Sequence, residues 1–292
     1  MTFNFNKIKR ILFAMGVGSF LLTKVAIAQE KLYPNEFPLS DVKLFDGPFK
    51  HAQDLNIHVL LEYDTDRLIA PFRKEAGLFE KAKLYPNWAG LDGHVGGHYL
   101  SALAMNYAST GNAECKKRME YMISELKACQ ETNDKNHPDW GKGYVGGAPN
   151  SQQIWSTFQK GDFAAYRAAW VPWYNVHKLY SGLRDAWRVS RQPKALAIER
   201  ALADWLERNI AGLDDAALQR LMACEFGGLN WVLADLYADT GEPRYLAQSR
   251  RWQHRAILEP LSRGVDMLPG NHANTQFPKI SGLAARYLAA GD

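Results

Sequence analysis

Apolar and polar positions along this chain repeat in one pattern. In WVPWYNVHKLYSGLRDAWRVSRQ, from Trp170 to Gln192, a polar and aromatic cluster follows Pro172, and apolar residues then fall at Val176, Leu179, Tyr180, Leu183 and Trp187. That spacing marks one face of an α-helix. The same helical pattern returns in YLSALAMNYASTG, NWVLADLYADTG and KISGLAARYLAAG. Aligned, the four copies place leucine at Leu103, Leu183, Leu233 and Leu283, and an aromatic ring four residues later at Tyr107, Trp187, Tyr237 and Tyr287. Serine stands two positions before the leucine at Ser101, Ser181 and Ser281, with Trp231 as the exception. Glycine follows each helix at Gly111, Gly241 and Gly291, with Arg191 as the exception, as suits a left-handed C-cap.

A unit of roughly 50 residues holds two helices, the signature of a helical repeat. The longer gap between the first two copies implies an insertion, and the glycine-rich, aromatic segment from Asn133 to Trp170 supplies it. Further helices are expected over His51 to Leu68, Ala113 to Gln130, Ala195 to Asn209 and Arg244 to Leu258, the last two charged enough to lie outside the repeated set. No alternating strand of useful length is visible. The expected fold is all-α, an (α/α)6-barrel-like toroid whose inner helices bury the four leucines; an open solenoid of helix pairs is the alternative. Eight helices against the twelve of six pairs suggest roughly the N-terminal half of such a barrel. Each repeated helix has a polar or glycine-rich cluster just upstream (GHVGGH, WYNVHK, CEFGG and NHANTQFPK), and side by side these clusters would share one rim.

Composition adds limits. Residues 1–28 carry Lys7, Lys9 and Arg10 before an apolar run from Ile11 to Leu22 and a small-x-small end at Ala26 to Ala28, which reads as a cleaved export signal. The run is too short for a membrane anchor, which needs about 18 apolar residues, so no membrane association is expected after cleavage. Residues 29–49 read as an extended, proline-rich lead-in and 50–292 as the partial barrel. The 292 residues are 47% hydrophobic, enough for a sizeable core, and the net charge of +4 comes without a basic run, so nucleic acid is not implied. Cys115, Cys129 and Cys224 form no disulfide framework; the first two fall on one helix, too far apart to bond.

The strings GHVGGHYLSALAMNYAST, VPWYNVHKLYSGLRDA, EFGGLNWVLADLYADTG and HANTQFPKISGLAARY resemble the bacterial β-L-arabinofuranosidases, glycoside hydrolases related to families 127 and 146, from about Leu39 to Asp292. The resemblance implies an exported enzyme that releases β-L-arabinofuranose from plant glycans. It also implies zinc, which holds a cysteine thiolate nucleophile, with a glutamate as acid and base; those residues belong to a part of the family's sequence downstream of Asp292, so this chain is expected to lack them and to be inactive alone. Members of the family usually read FGGMNE where this chain has FGGLNW, so Trp231 replaces a carboxylate.

The substrate-binding residues that this resemblance and the rim pattern single out are His94, His98, Tyr174, Asn175, His177, Glu225, His272 and Gln276. Imidazole, phenol and amide groups offer both donors and acceptors to sugar hydroxyls. His94 and His98 share a helix face but have no third metal ligand fixed by spacing. Asp92 and Glu225 are the carboxylates to weigh as an acid and base pair, and Cys224 is more naturally a buried, inert thiol than a nucleophile. Trp140, Tyr144, Gly146, Gly147 and Trp155 in the insertion belong either to a loop over the substrate or to a rigid cover. Trp231 either stacks on a sugar or fills core. Two other functions remain open on these residues: a sugar epimerase or lyase that uses His94, His177 and His272 as acid and base groups, and a non-catalytic carbohydrate-binding repeat.

Overall fold

Glycine and proline punctuate the helices. The computed structural model describes residues 37–86 and 91–292, and among these it is all-α, with thirteen α-helices, one 3-10 turn at Leu39–Asp41 and no strand. The export-signal reading and the start of the lead-in lie outside the described residues. The repeated helices are α3 (His94–Thr110), α7 (Pro172–Arg188), α10 (Leu229–Thr240) and α13 (Ala273–Ala290). The others are α1 (Pro48–Glu62), α2 (Thr65–Glu75), α4 (Ala113–Asn136), α5 (Ser151–Phe158), α6 (Ala164–Ala168), α8 (Pro193–Ile210), α9 (Asp215–Leu221), α11 (Pro243–Arg251) and α12 (Arg255–Ser262).

The register read from the sequence is physical. In each repeated helix the backbone N–H four residues after the aromatic position donates to that residue's carbonyl: Gly111 to Tyr107 at 2.8 Å, Arg191 to Trp187 at 2.9 Å, Gly241 to Tyr237 at 2.7 Å and Gly291 to Tyr287 at 2.8 Å. Gly111, Gly241 and Gly291 adopt φ of 72°, 73° and 71°, and Arg191 adopts φ of 56° at the equivalent place. The exception in sequence is therefore not an exception in backbone; Arg191 carries the steric cost that glycine avoids.

The four helices stand in a row, α3 against α7, α7 against α10 and α10 against α13, while α4, α8 and α11 back the first three. Two of the three inner junctions are close enough to require glycine. A Cβ on Gly97 would lie 2.2 Å from the Lys178 carbonyl oxygen, and one on Gly182 would lie 2.4 Å from that of Gly97, so α3 and α7 meet only because both positions are glycine. At α10 and α13, a Cβ on Gly282 would lie 2.1 Å from Asn230 Nδ2, whose amide donates to the Lys279 carbonyl at 2.8 Å. The α7–α10 junction uses charge instead: Arg184 Nη1 lies 2.9 Å from Asp235 Oδ2 and its Nε 3.0 Å from Asp239 Oδ2.

Leu103, Leu183 and Leu233 are buried, as the pattern requires. Leu283 is only half-buried, because α13 packs on α10, α11 and α12 while Tyr287 and Leu288 on its far side are exposed. Two expected helices are each broken in two. Asp64 ends the first, its carboxylate accepting from Asp66 N–H at 2.9 Å as the N-cap of α2, and a turn at Trp252 to His254 separates α11 from α12. Cys115 and Cys129 lie on α4 as free, buried thiols.

The insertion is a cover. Trp140, Tyr144 and Trp155 are buried, and Gln130 Nε2 donates to the Gly143 carbonyl at 2.9 Å, Asn133 Nδ2 to that of Tyr144 at 3.1 Å and Trp205 Nε1 to that of Trp140 at 2.9 Å. Gly147 packs so closely on Gly93 that a Cβ there would sit 2.9 Å from the Gly93 Cα. These rings are core and do not line a substrate face.

Leu233→Ala is expected to cost about 2–5 kcal/mol of stability and Leu283→Ala distinctly less, because only the former leaves a closed cavity. Equal losses in chemical denaturation would contradict the burial difference. Arg191→Gly is expected to raise stability by up to about 1 kcal/mol by relieving the left-handed backbone; no rise in the denaturation midpoint would mean that the strain is compensated elsewhere.

Candidate functional site

The N-terminal ends of the four repeated helices come together. The His94 ring at the start of α3 lies 6.1 Å from the Tyr174 ring in the first turn of α7, and Asn274 Nδ2 of α13 reaches Tyr174 Oη at 3.4 Å. The Gly227–Gly228 loop before α10 closes on His177: a Cβ on Gly227 would lie 2.4 Å from its Nδ1, and one on Gly228 would lie 3.0 Å from its Nε2 and 3.2 Å from Pro278 Cβ. Glycine is required here because φ of Gly227 is +64° and the imidazole fills the space of any side chain. The rim expected from the sequence thus exists, with members contributed by all four helices.

Its residues divide by access. His98, whose ring lies 6.1 Å from that of His94, is exposed, His272 is exposed at the N-cap of α13, and His94 and Glu225 are half-buried. Tyr174, Asn175, His177 and Gln276 are buried. His177 does not line open space. Both its ring nitrogens are buried without a hydrogen-bond partner, and burial pushes its pKa down to about 3, with Lys178 and His98 adding to the effect, so the ring is neutral. Partial enclosure, with Lys178 and His94, likewise pushes His98 down to about 4.

Sequence reasoning passed over Lys279 and His254. Lys279 is a fully buried lysine: its Nζ donates to Gln276 Oε1 at 3.1 Å and to His254 Nδ1 at 3.0 Å, and stands 4.9 Å over the Phe226 ring. Burial pushes its pKa down to about 8, with the Glu225 carboxylate opposing, and burial also pushes His254 down to about 4, which leaves Nδ1 free to accept. The signal was the lysine that ends HANTQFPK, one turn beyond Gln276 and on the same helix face.

The two rim carboxylates influence different partners. Asp92 acts on Glu75 beside the insertion, whereas Glu225 acts on Lys279. Cys224 donates its thiol to the Trp170 carbonyl at 3.1 Å, and burial pushes its pKa up, the opposite of an activated nucleophile. Among the described residues no group of three or more His, Cys, Asp or Glu side chains is placed to hold a metal ion. Trp231 is 38% exposed, so it does not fill core.

An all-α, toroid-like array with histidines, amides and carboxylates gathered at one end of its inner helices defines a helical domain with a polar, multi-loop rim. The family model for the β-L-arabinofuranosidase GH127 catalytic domain matches residues 41–292, and the chain belongs to that family. No curated protein matches it. Membership makes it a glycoside hydrolase by family, with a carbohydrate as the implied substrate, and among the described residues no helix is long and apolar enough to cross a membrane.

Lys279 is expected to titrate near 8 rather than at its ordinary 10.5, measured by NMR of labelled lysine. With the folded pKa below the unfolded one, the penalty for the buried ammonium is full below about 8 and fades as pH rises toward 10.5, so its contribution makes the unfolding free energy rise across that window. Lys279→Met should lose that slope; an unchanged slope would remove Lys279 as its source.

Proposed function

We propose that this chain is the sugar-recognising part of an exported β-L-arabinofuranosidase that acts on arabinose-containing plant glycans. The family match across residues 41–292 carries the reading, and the convergence of polar side chains from four helices at one rim supports it. In this reading His94, His98, Glu225 and His272 meet the sugar hydroxyls, while the enclosed Tyr174, Asn175, His177 and Gln276 hold the loops that carry them. Export rests on the basic and apolar segment over residues 1–28.

The epimerase or lyase reading asks histidines to exchange protons near neutral pH, where general acid–base catalysis is most efficient. Burial holds His177 near 3, and partial enclosure beside Lys178 and His94 holds His98 near 4, which favours hydroxyl binding by neutral rings over proton transfer. Zinc with a thiolate would supply the nucleophile in the family's reaction, but the described residues do not fit it: no suitable ligand group is present, and Cys224 is a thiol engaged with a carbonyl. What these residues do in this reading is bind and orient the sugar. The chain alone is therefore proposed to bind sugar without hydrolysing it.

Calorimetric titration with L-arabinose and an assay with 4-nitrophenyl β-L-arabinofuranoside test this. Binding without hydrolysis is expected. His98→Ala and His272→Ala should each weaken binding by about 1–3 kcal/mol with an unchanged unfolding midpoint, whereas His177→Ala should lower the midpoint because its ring is packed under Gly227 and Gly228. Absence of sugar binding would sink the proposal; so would hydrolysis that is lost in Cys224→Ser, which would make that thiol the nucleophile.

A further inference from the structure

Beside the rim, a cleft of about 470 Å³ opens between the insertion and the start of α7. Asp92, Asn150, Gln153, Trp170 and Pro172 are among the residues that line it. The volume falls within the roughly 300–1,000 Å³ of small-molecule sites. Asp92 stands two residues before His94, and Pro172 two before Tyr174, so the cleft and the rim share walls.

The walls are fixed before any ligand arrives. Glu75 Oε2 accepts from the Ser151 backbone N–H at 2.8 Å, and Ser151 Oγ bonds Tyr144 Oη at 2.7 Å and donates to the Ala148 carbonyl at 2.6 Å. That tie holds Asn150, the residue before α5, in its left-handed conformation with φ of 63°. On the opposite side the Trp170 carbonyl accepts from Cys224 Sγ, while the indole itself is 53% exposed. The chain buries Trp140, Trp155, Trp173, Trp205 and Trp252 and leaves this ring outward on an anchored backbone.

The chemistry of the lining selects among ligands. An exposed indole stacks on an apolar ring face, and a carboxylate with two primary amides offers donors and acceptors to several hydroxyls. None of the lining residues is basic and one is acidic, which disfavours an anion such as a phosphate or uronate. We infer that this cleft binds a second, uncharged sugar ring of the glycan, next to the ring held at the rim, with Trp170 as its platform and Asp92, Asn150 and Gln153 as its hydroxyl partners. The inference rests on the carbohydrate reading above, and it places glycan-length recognition in the insertion.

The test compares methyl β-L-arabinofuranoside with a disaccharide in which the same ring carries a second pentose, both titrated into the chain. The disaccharide should bind about tenfold more tightly, the order expected of one stacked ring. Trp170→Ala should abolish that gain and leave the monosaccharide affinity unchanged, with Trp170→Phe restoring most of it. Gln153→Ala and Asn150→Ala should each reduce the gain. An unchanged unfolding midpoint in Trp170→Ala and Trp170→Phe checks that the fold is intact. A disaccharide that binds no tighter than the monosaccharide, or a gain that survives Trp170→Ala, overturns the cleft as a subsite while leaving the carbohydrate reading in place. If neither sugar binds, that reading fails and takes the inference with it.

Discussion

The interaction on which the rest depends is the backbone contact of neighbouring inner helices through glycine. Gly97 and Gly182 let α3 and α7 touch main chain to main chain, and Gly282 of α13 makes room for the Asn230 side chain of α10. Such contacts fix the relative height of two helices more sharply than side-chain packing can, since any slip drives a carbonyl into a Cα. Because the heights are fixed, the N-terminal clusters of the four helices arrive at one level. Between the two tight pairs the α7–α10 junction is looser, bridged by Arg184 to Asp235 and Asp239 below and by the Gly227–Gly228 loop above. Burial, with the Asp239 carboxylate adding to it, pushes Asp235 up to about 6 in spite of the arginine.

The repeat was legible because it is enforced by local rules. Leucine at a fixed place, an aromatic ring one turn later and a left-handed stop are features that a single helix demands of its own sequence, and all four copies keep the stop in the structure. Even Arg191 follows the backbone of its glycine counterparts. What could not be read were the breaks at Asp64 and Trp252 and the short helices α5, α6 and α9, where periodicity is too brief to register. Leu283 shows the other limit: its position in the repeat is regular, but burial depends on what packs outside the helix.

The rim was legible as a location and less so as a set of contacts. His98 and His272 reach solvent from their helix starts, whereas the loop that makes His177 interesting in sequence is the one that encloses it. Lys279 was invisible as a site residue for a related reason. A lysine is ordinarily read as solvated, and only the three-dimensional meeting of Gln276, His254 and Phe226 explains its burial. The insertion reversed the expectation differently, since its own rings became core and the ring it leaves outward is Trp170, at its boundary with α7.

Desolvation gives the rim a common electrical character. It pushes His177, His98 and His254 toward their neutral forms and Cys224 toward its thiol, and it weakens the proton's hold on Lys279. In these forms the three imidazoles and the thiol stay uncharged even in mildly acidic solution, and each offers a hydrogen-bond donor or acceptor. A neutral imidazole does not attract an anion by charge, and an anion gives up strong hydration on entering. A neutral polyol surrenders less, because each of its hydroxyls can exchange water for a fixed partner at similar strength. The glycines that hold the helices at one level and the burial that follows from close packing thus converge on the same ligand chemistry, uncharged and rich in hydroxyl groups.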